Sequence, residues 1–194
     1  MKSSLCFVFS AIMLVASSAA FAQGGQAPAG SPPAPVGLAE GMRRAWATIK
    51  TNVTQALDVM PEENFNFKTT PANKTFGAQF GHVANFHYNF CAAAKGVPSP
   101  NKENLEQKAT KAEMVKALAD SYTFCDDAYA KLSDQSALET VTQGRGQIAR
   151  GAVLSNLIAH DNEEYGVITQ YLRMKDIVPP STANAAAARG RGGN

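Results

Sequence analysis

His160 and Glu164 stand four residues apart in the stretch LSNLIAHDNEEYGVITQYLRMKDIVPPS, residues 154–181. On a helix that spacing puts both side chains on one face, about 6 Å apart at Cβ. An imidazole and a carboxylate so placed can grip one metal ion, leaving open the coordination position that catalysis needs; zinc, nickel and iron suit this donor set. A His four residues before a Glu also arises by chance, and the plain reading is a polar pair bordering a pocket. His82 and His87 are the remaining histidines. His82 lies at the flank of its helix's apolar stripe, about 100° from the centre, and His87 lies nearer the centre. Asn85, Asn89, Asn156 and Asp161 fall close enough in sequence to orient imidazoles as outer partners, or to be ordinary polar helix residues.

Other chemistries lack their residues. Three histidines and no Gly-x-Ser-x-Gly leave no nucleophile-elbow triad. No Cys-x-x-Cys-His, phosphate-binding glycine loop or paired Glu-x-x-His motif is present.

The elements that must hold these residues are helical. Leu38, Met42, Ala45, Ile49, Val53 and Leu57 recur at helical spacing, with Trp46 beside them. A second helix over about 75–95 carries Phe76, Phe80, Val83, His87 and Phe90, and Gly96 and Pro98 stop it. A third opens on Thr110 and Glu113, a capping-box pair, and continues through Met114, Leu118, Tyr122, Cys125, Tyr129 and Leu132. The fourth spans about 147–175 and is ended by Pro179 and Pro180, with Val153, Leu157, His160, Glu164, Val167, Ile168 and Tyr171 inward. No strand pattern stands out. An all-α four-helix bundle follows.

Heights along the helices add detail. Cys91 and Cys125 each fall about 15 residues past their helix starts, so parallel second and third helices would place them level, whereas a tight hairpin would separate them by roughly 15 Å. The connection of about 14 residues reaches roughly 45 Å, enough to return along a helix of about 30 Å. A long crossover with a Cys91–Cys125 disulfide is therefore feasible; two reduced core cysteines are the alternative. If the fourth helix opposes the second, His82 and His160 come to one height near the middle.

The ends of the chain read differently. Lys2, an apolar run and Ala20-Phe21-Ala22 have the form of a signal peptide over 1–22, with export to the periplasm or the extracellular space as the expectation. An exported protein meets conditions in which disulfides persist. Residues 23–36 read as a flexible linker and 182–194 as a disordered tail, leaving 37–181 as the folded domain. Beyond Lys2, 17 Lys and Arg remain of the 18, against 16 Asp and Glu; so balanced a chain offers nucleic acid no electrostatic footprint. Nothing after the leader is apolar enough to span a membrane.

FGAQFGHVANFHYNFCAAAKG (76–96), together with HDNEEYGVITQYLRMKDIVPPS (160–181), resembles the DinB/YfiT-like superfamily of metalloenzymes. The resemblance covers nearly all of the folded region. It implies an up-down-down-up bundle with a long crossover between helices 2 and 3, and three histidines on a divalent metal. His82 and His160 match two of these ligands. Glu164 stands where the family usually has the third His, which implies either a two-His-one-carboxylate site or a degenerate one. The superfamily includes metal-dependent thiol transferases, so the resemblance implies thiol-transferase-like or hydrolase-like chemistry on a small-molecule substrate. The other reading is a non-catalytic binding or stress-related bundle. As with many bundles, a homodimer is compatible with this fold.

Overall fold

A computed structural model describes residues 35–108 and 110–191. The expected signal peptide at 1–22 and most of the expected linker lie outside the described residues. Among the described residues, five α-helices, one small antiparallel hairpin and three single 3-10 turns make up the regular structure: α1 Leu38–Val59, α2 Phe76–Lys95, α3 Lys111–Ala130, β1 Thr140–Gln143, β2 Gly146–Ala149, α4 Arg150–Arg173 and α5 Pro180–Arg191, with the turns at Glu62–Asn64, Leu105–Gln107 and Ser136–Leu138. Among the described residues no helix is long and apolar enough to cross a membrane.

Side chains cap the first three of these helices. Thr75 Oγ accepts from the Ala78 amide at 3.1 Å to open α2. Thr110 and Glu113 form both halves of a capping box on α3. The residue before α1 is Gly37, which has no side chain to cap with; Asp134 does so from a distance, its Oδ1 accepting from the Ala39 amide at 2.7 Å. Gly96, at φ 67°, closes α2 in the left-handed conformation that glycine adopts without steric cost.

Side-chain contacts fix how the long helices run past one another. His87 meets Ser121 and Cys91 meets Cys125, so numbering rises together along α2 and α3. Gln79 meets Glu164 while His87 meets Asp161, so α4 runs against α2. The two cysteines are joined in a disulfide with Cα atoms 5.4 Å apart. Between the helices lies an apolar core in which Trp46 stacks on Tyr129 with ring centroids 4.5 Å apart and donates Nε1–H to Asp126 at 2.8 Å. Trp46 is thus a core residue, while Leu38 and Ala45 face outward.

Four features depart from the sequence reading. The fourth helix begins at Arg150 rather than near 147, because 140–149 form a hairpin whose two-residue turn opens on Gly144 at φ 59°. The strands are only four residues long and mostly exposed, too short to produce an alternating apolar pattern. The same helix ends at Arg173, before the Pro pair: Asp176 turns left-handed at φ 57° and the Ile177 amide bonds back to the Leu172 carbonyl at 3.0 Å. Pro180 then opens α5 at the first helical position, where its missing N–H costs nothing, and the alanine run 185–188 carries the helix as far as Arg191, within the expected disordered tail. Tyr165 Oη bonds Ser181 Oγ at 3.0 Å, and Asn184 donates to Gln55 at 2.9 Å.

Candidate metal centre

The antiparallel pairing of α2 and α4 brings His82 opposite His160 and Glu164. The three offer ligand atoms that all lie within 4.8 Å of one another. Glu164 Oε1 is 3.7 Å from His82 Nε2 and 3.9 Å from His160 Nε2. Donors on tetrahedral zinc at about 2.0–2.1 Å stand roughly 3.4 Å apart, so each histidine need close on Glu164 by no more than about half an ångström. All three side chains are largely covered yet reachable, between 14 and 22 % exposed.

Both histidines present the same nitrogen. His82 Nδ1 lies 2.8 Å from Glu106 Oε1. A carboxylate only accepts, so Nδ1 carries a proton and Nε2 is the nitrogen turned toward Glu164. His160 Nδ1 faces Asp161 Oδ1 at 3.6 Å, and its Nε2 is buried without a hydrogen-bond partner. A carboxylate behind each imidazole is the arrangement that fixes tautomer and ring direction in metal sites. Gln79 Nε2 donates to Glu164 Oε2 at 3.3 Å, leaving Oε1 for the two histidines. Phe86 stacks on the His160 ring with centroids 3.9 Å apart and shields it from one side.

Burial alone would raise the Glu106 carboxyl, but hydrogen bonds from His82 and Lys74 outweigh it and hold the group below the usual carboxylate range. Burial would likewise raise Asp161; the charge of His87 and the contact with His160 reverse the direction. Both outer partners are therefore anions.

The expected outer residues divide. Asp161 is fully buried and faces His160, whereas Asn89, two turns beyond His82, and Asn156, one turn before His160, are solvent-exposed and make no hydrogen bond to the trio. Asn85 serves the loop instead. Its Oδ1 accepts from the Leu105 amide at 3.2 Å and its Nδ2 donates to Asn104 at 3.0 Å, tying down the short turn at 105–107. That turn carries Glu106, which sequence reasoning missed. Its signal was Gly81, a glycine inside a helix where alanine is favoured by about 1 kcal/mol. A Cβ there would collide with the Leu105 backbone, so glycine lets the turn lie against α2 and delivers Glu106 to the neighbouring His82. His87 is wholly buried, bonding Ser121 Oγ at 2.8 Å and Asp161 Oδ2 at 2.9 Å.

Comparison with known proteins places this geometry in context. The sequence model of the DinB superfamily matches residues 45–168. Among solved structures, a DinB-like protein from Bacillus cereus is similar in fold, with a TM-score of 0.61 at 17% identity, covering 73% of this chain and 95% of that one. Comparison with curated proteins returns no match.

Proposed function

From the premise that this chain belongs to the DinB superfamily, we propose that it holds one divalent metal ion at His82, His160 and Glu164 and uses it as an enzyme. The observation carrying this reading is the convergence of two Nε2 atoms, each backed by a carboxylate, on Glu164 Oε1. Two nitrogens and one carboxylate oxygen, with solvent access on the remaining side, suit zinc, nickel or iron. The four long helices form the up-down-down-up bundle that carries the site, and the crossover between α2 and α3 supplies Glu106.

An ion bound there supplies Lewis acidity that lowers the pKa of a coordinated thiol or water. The chain's own residues do the rest. Glu106 retains the His82 Nδ1 proton, Gln79 orients Glu164, and Phe86 excludes water from the His160 ring. We assign thiol-transferase-like or hydrolase-like chemistry on a small molecule. We place the protein outside the cytoplasm, supported by the leader-like start and by a cysteine pairing that oxidising compartments preserve.

Elemental analysis of the purified protein beside a His160→Ala variant tests the site. A stoichiometric divalent metal, lost in the variant, is the expected result. A chain that stays metal-free after loading with zinc, nickel and iron would falsify the proposal and return the non-catalytic binding bundle.

A further inference from the structure

Behind the trio lies a second row of polar groups with no access to solvent. His87, Ser121 and Asp161 are each fully buried among apolar residues. The edge of Trp46 and the ring of Tyr122 close over His87, at centroid distances of 5.3 and 4.5 Å. The order Ser-His-Asp looks like a nucleophilic triad, but a hydroxyl sealed in the core meets no substrate. The row must act on something inside the protein.

Counting protons shows what it acts on. Ser121 Oγ lies 2.8 Å from the Leu118 carbonyl, which can only accept, so the hydroxyl proton is committed there. Ser121 Oγ therefore accepts from His87, and Nδ1 carries a hydrogen. On the other side of the ring Asp161 Oδ2 also accepts, so Nε2 carries a hydrogen as well. Read this way, the α2 ring donates from both nitrogens, one of them to a carboxylate on α4. With Oδ2 held by His87, the second oxygen of Asp161 points at His160 Nδ1 across 3.6 Å. Neither of those two buried atoms has a hydrogen-bond partner. A closure of about 0.7 Å would make them one bond.

We infer that His87, backed by Ser121, is a positioning residue for His160 that acts through Asp161. It locks the Asp161 carboxylate so that Oδ1 holds the Nδ1 proton of His160 and Nε2 stays free toward Glu164. It also cancels the Asp161 charge, so that the site gains an oriented imidazole without a further net negative charge. The inference rests on reading His160 as a metal ligand.

Ring-nitrogen correlation spectra of the metal-free, isotope-labelled full chain test it directly. The expected result is both nitrogens of His87 protonated and His160 in the single tautomer with Nδ1–H. His87→Leu, which can donate to neither partner, should leave His160 in mixed tautomers and weaken zinc binding, measured by chelator competition, by about 10–100-fold. His87→Gln, which keeps a donor for Asp161, should recover part of the loss. A neutral His87 in the wild type overturns the inference, as does a His87→Leu protein whose His160 tautomer and zinc affinity are unchanged. Should His87→Leu fail to fold, the wild-type spectrum decides alone. A wild-type chain that takes up no zinc overturns the metal reading, while the His160 tautomer still decides this one.

Discussion

Leu105 rests its backbone on the bare Cα of Gly81, and the next residue of each partner, Glu106 and His82, is joined by a 2.8 Å hydrogen bond. Placement of the loop and orientation of the imidazole are thus one packing event. Gly81→Ala inserts a methyl group where the Leu105 carbonyl sits. Overpacking of this kind costs about 1–3 kcal/mol, to be read from chemical denaturation. Because the displaced turn carries Glu106, the same substitution should also weaken metal binding, whereas Gly41→Ala, at a glycine with open space around it, should not.

Glu164 is the ligand that sets the charge of the site. Glu164→Gln keeps the shape and the Gln79 contact but removes the anion. Metal affinity should fall by more than the roughly 10–100-fold typical of losing an outer partner. Glu164→His should restore binding with a neutral three-nitrogen set and shift preference toward softer ions. Titration of both variants with zinc and manganese would separate loss of affinity from change of preference.

Asp134 caps a helix from nearly a hundred residues away, accepting from the Ala39 amide. Asp134→Ala should cost about 0.5–2 kcal/mol, the usual range for a lost N-cap. Urea denaturation measures it, and metal content should be unchanged, since the contact lies outside the trio and its partners.

Asp127 receives Lys131 and Lys95, the latter reaching across from α2. Those two hydrogen bonds hold its carboxyl below the ordinary 3.8. A depressed folded value means that the stabilisation is complete above the unfolded value and is lost as pH falls through the folded one. Wild type and Asp127→Asn should therefore differ slightly in urea midpoint at neutral pH and converge in acid below about 3.8. A constant difference across that range would remove Asp127 as its source.

Much of the helical architecture was legible because it rests on local rules: the apolar spacing of Met42, Ile49 and Val53, the Thr110–Glu113 box and the stop at Gly96 all act within a few residues. The facing of His160 and Glu164 belongs to the same class, since a four-residue spacing decides it. Glu106 was not legible. It sits in a polar connection without periodicity, and only the close approach at Gly81 gives it a role. His87 was readable as an inward residue, but its partners Ser121 and Asp161 come from two other helices, and no spacing along one segment encodes that meeting. Asn89 and Asn156 show the limit of helical spacing: seven residues from His82 and four from His160 share a face with them, yet both side chains lie at another height along the helix and end in solvent. The hairpin and α5 escaped notice because strands of four residues and an alanine-rich tail carry almost no amphipathic signal.

The disulfide between Cys91 and Cys125 has a consequence for the chain as a covalent object. It closes residues 91–125 into a ring, and the whole crossover, Glu106 included, lies on that ring. A single backbone cut anywhere in the crossover would open the ring without separating the pieces. The nicked protein would run as one species until reduced, and Glu106 would stay tethered to the helix that carries His82 on one side of the break or, through the sulfurs, on the other.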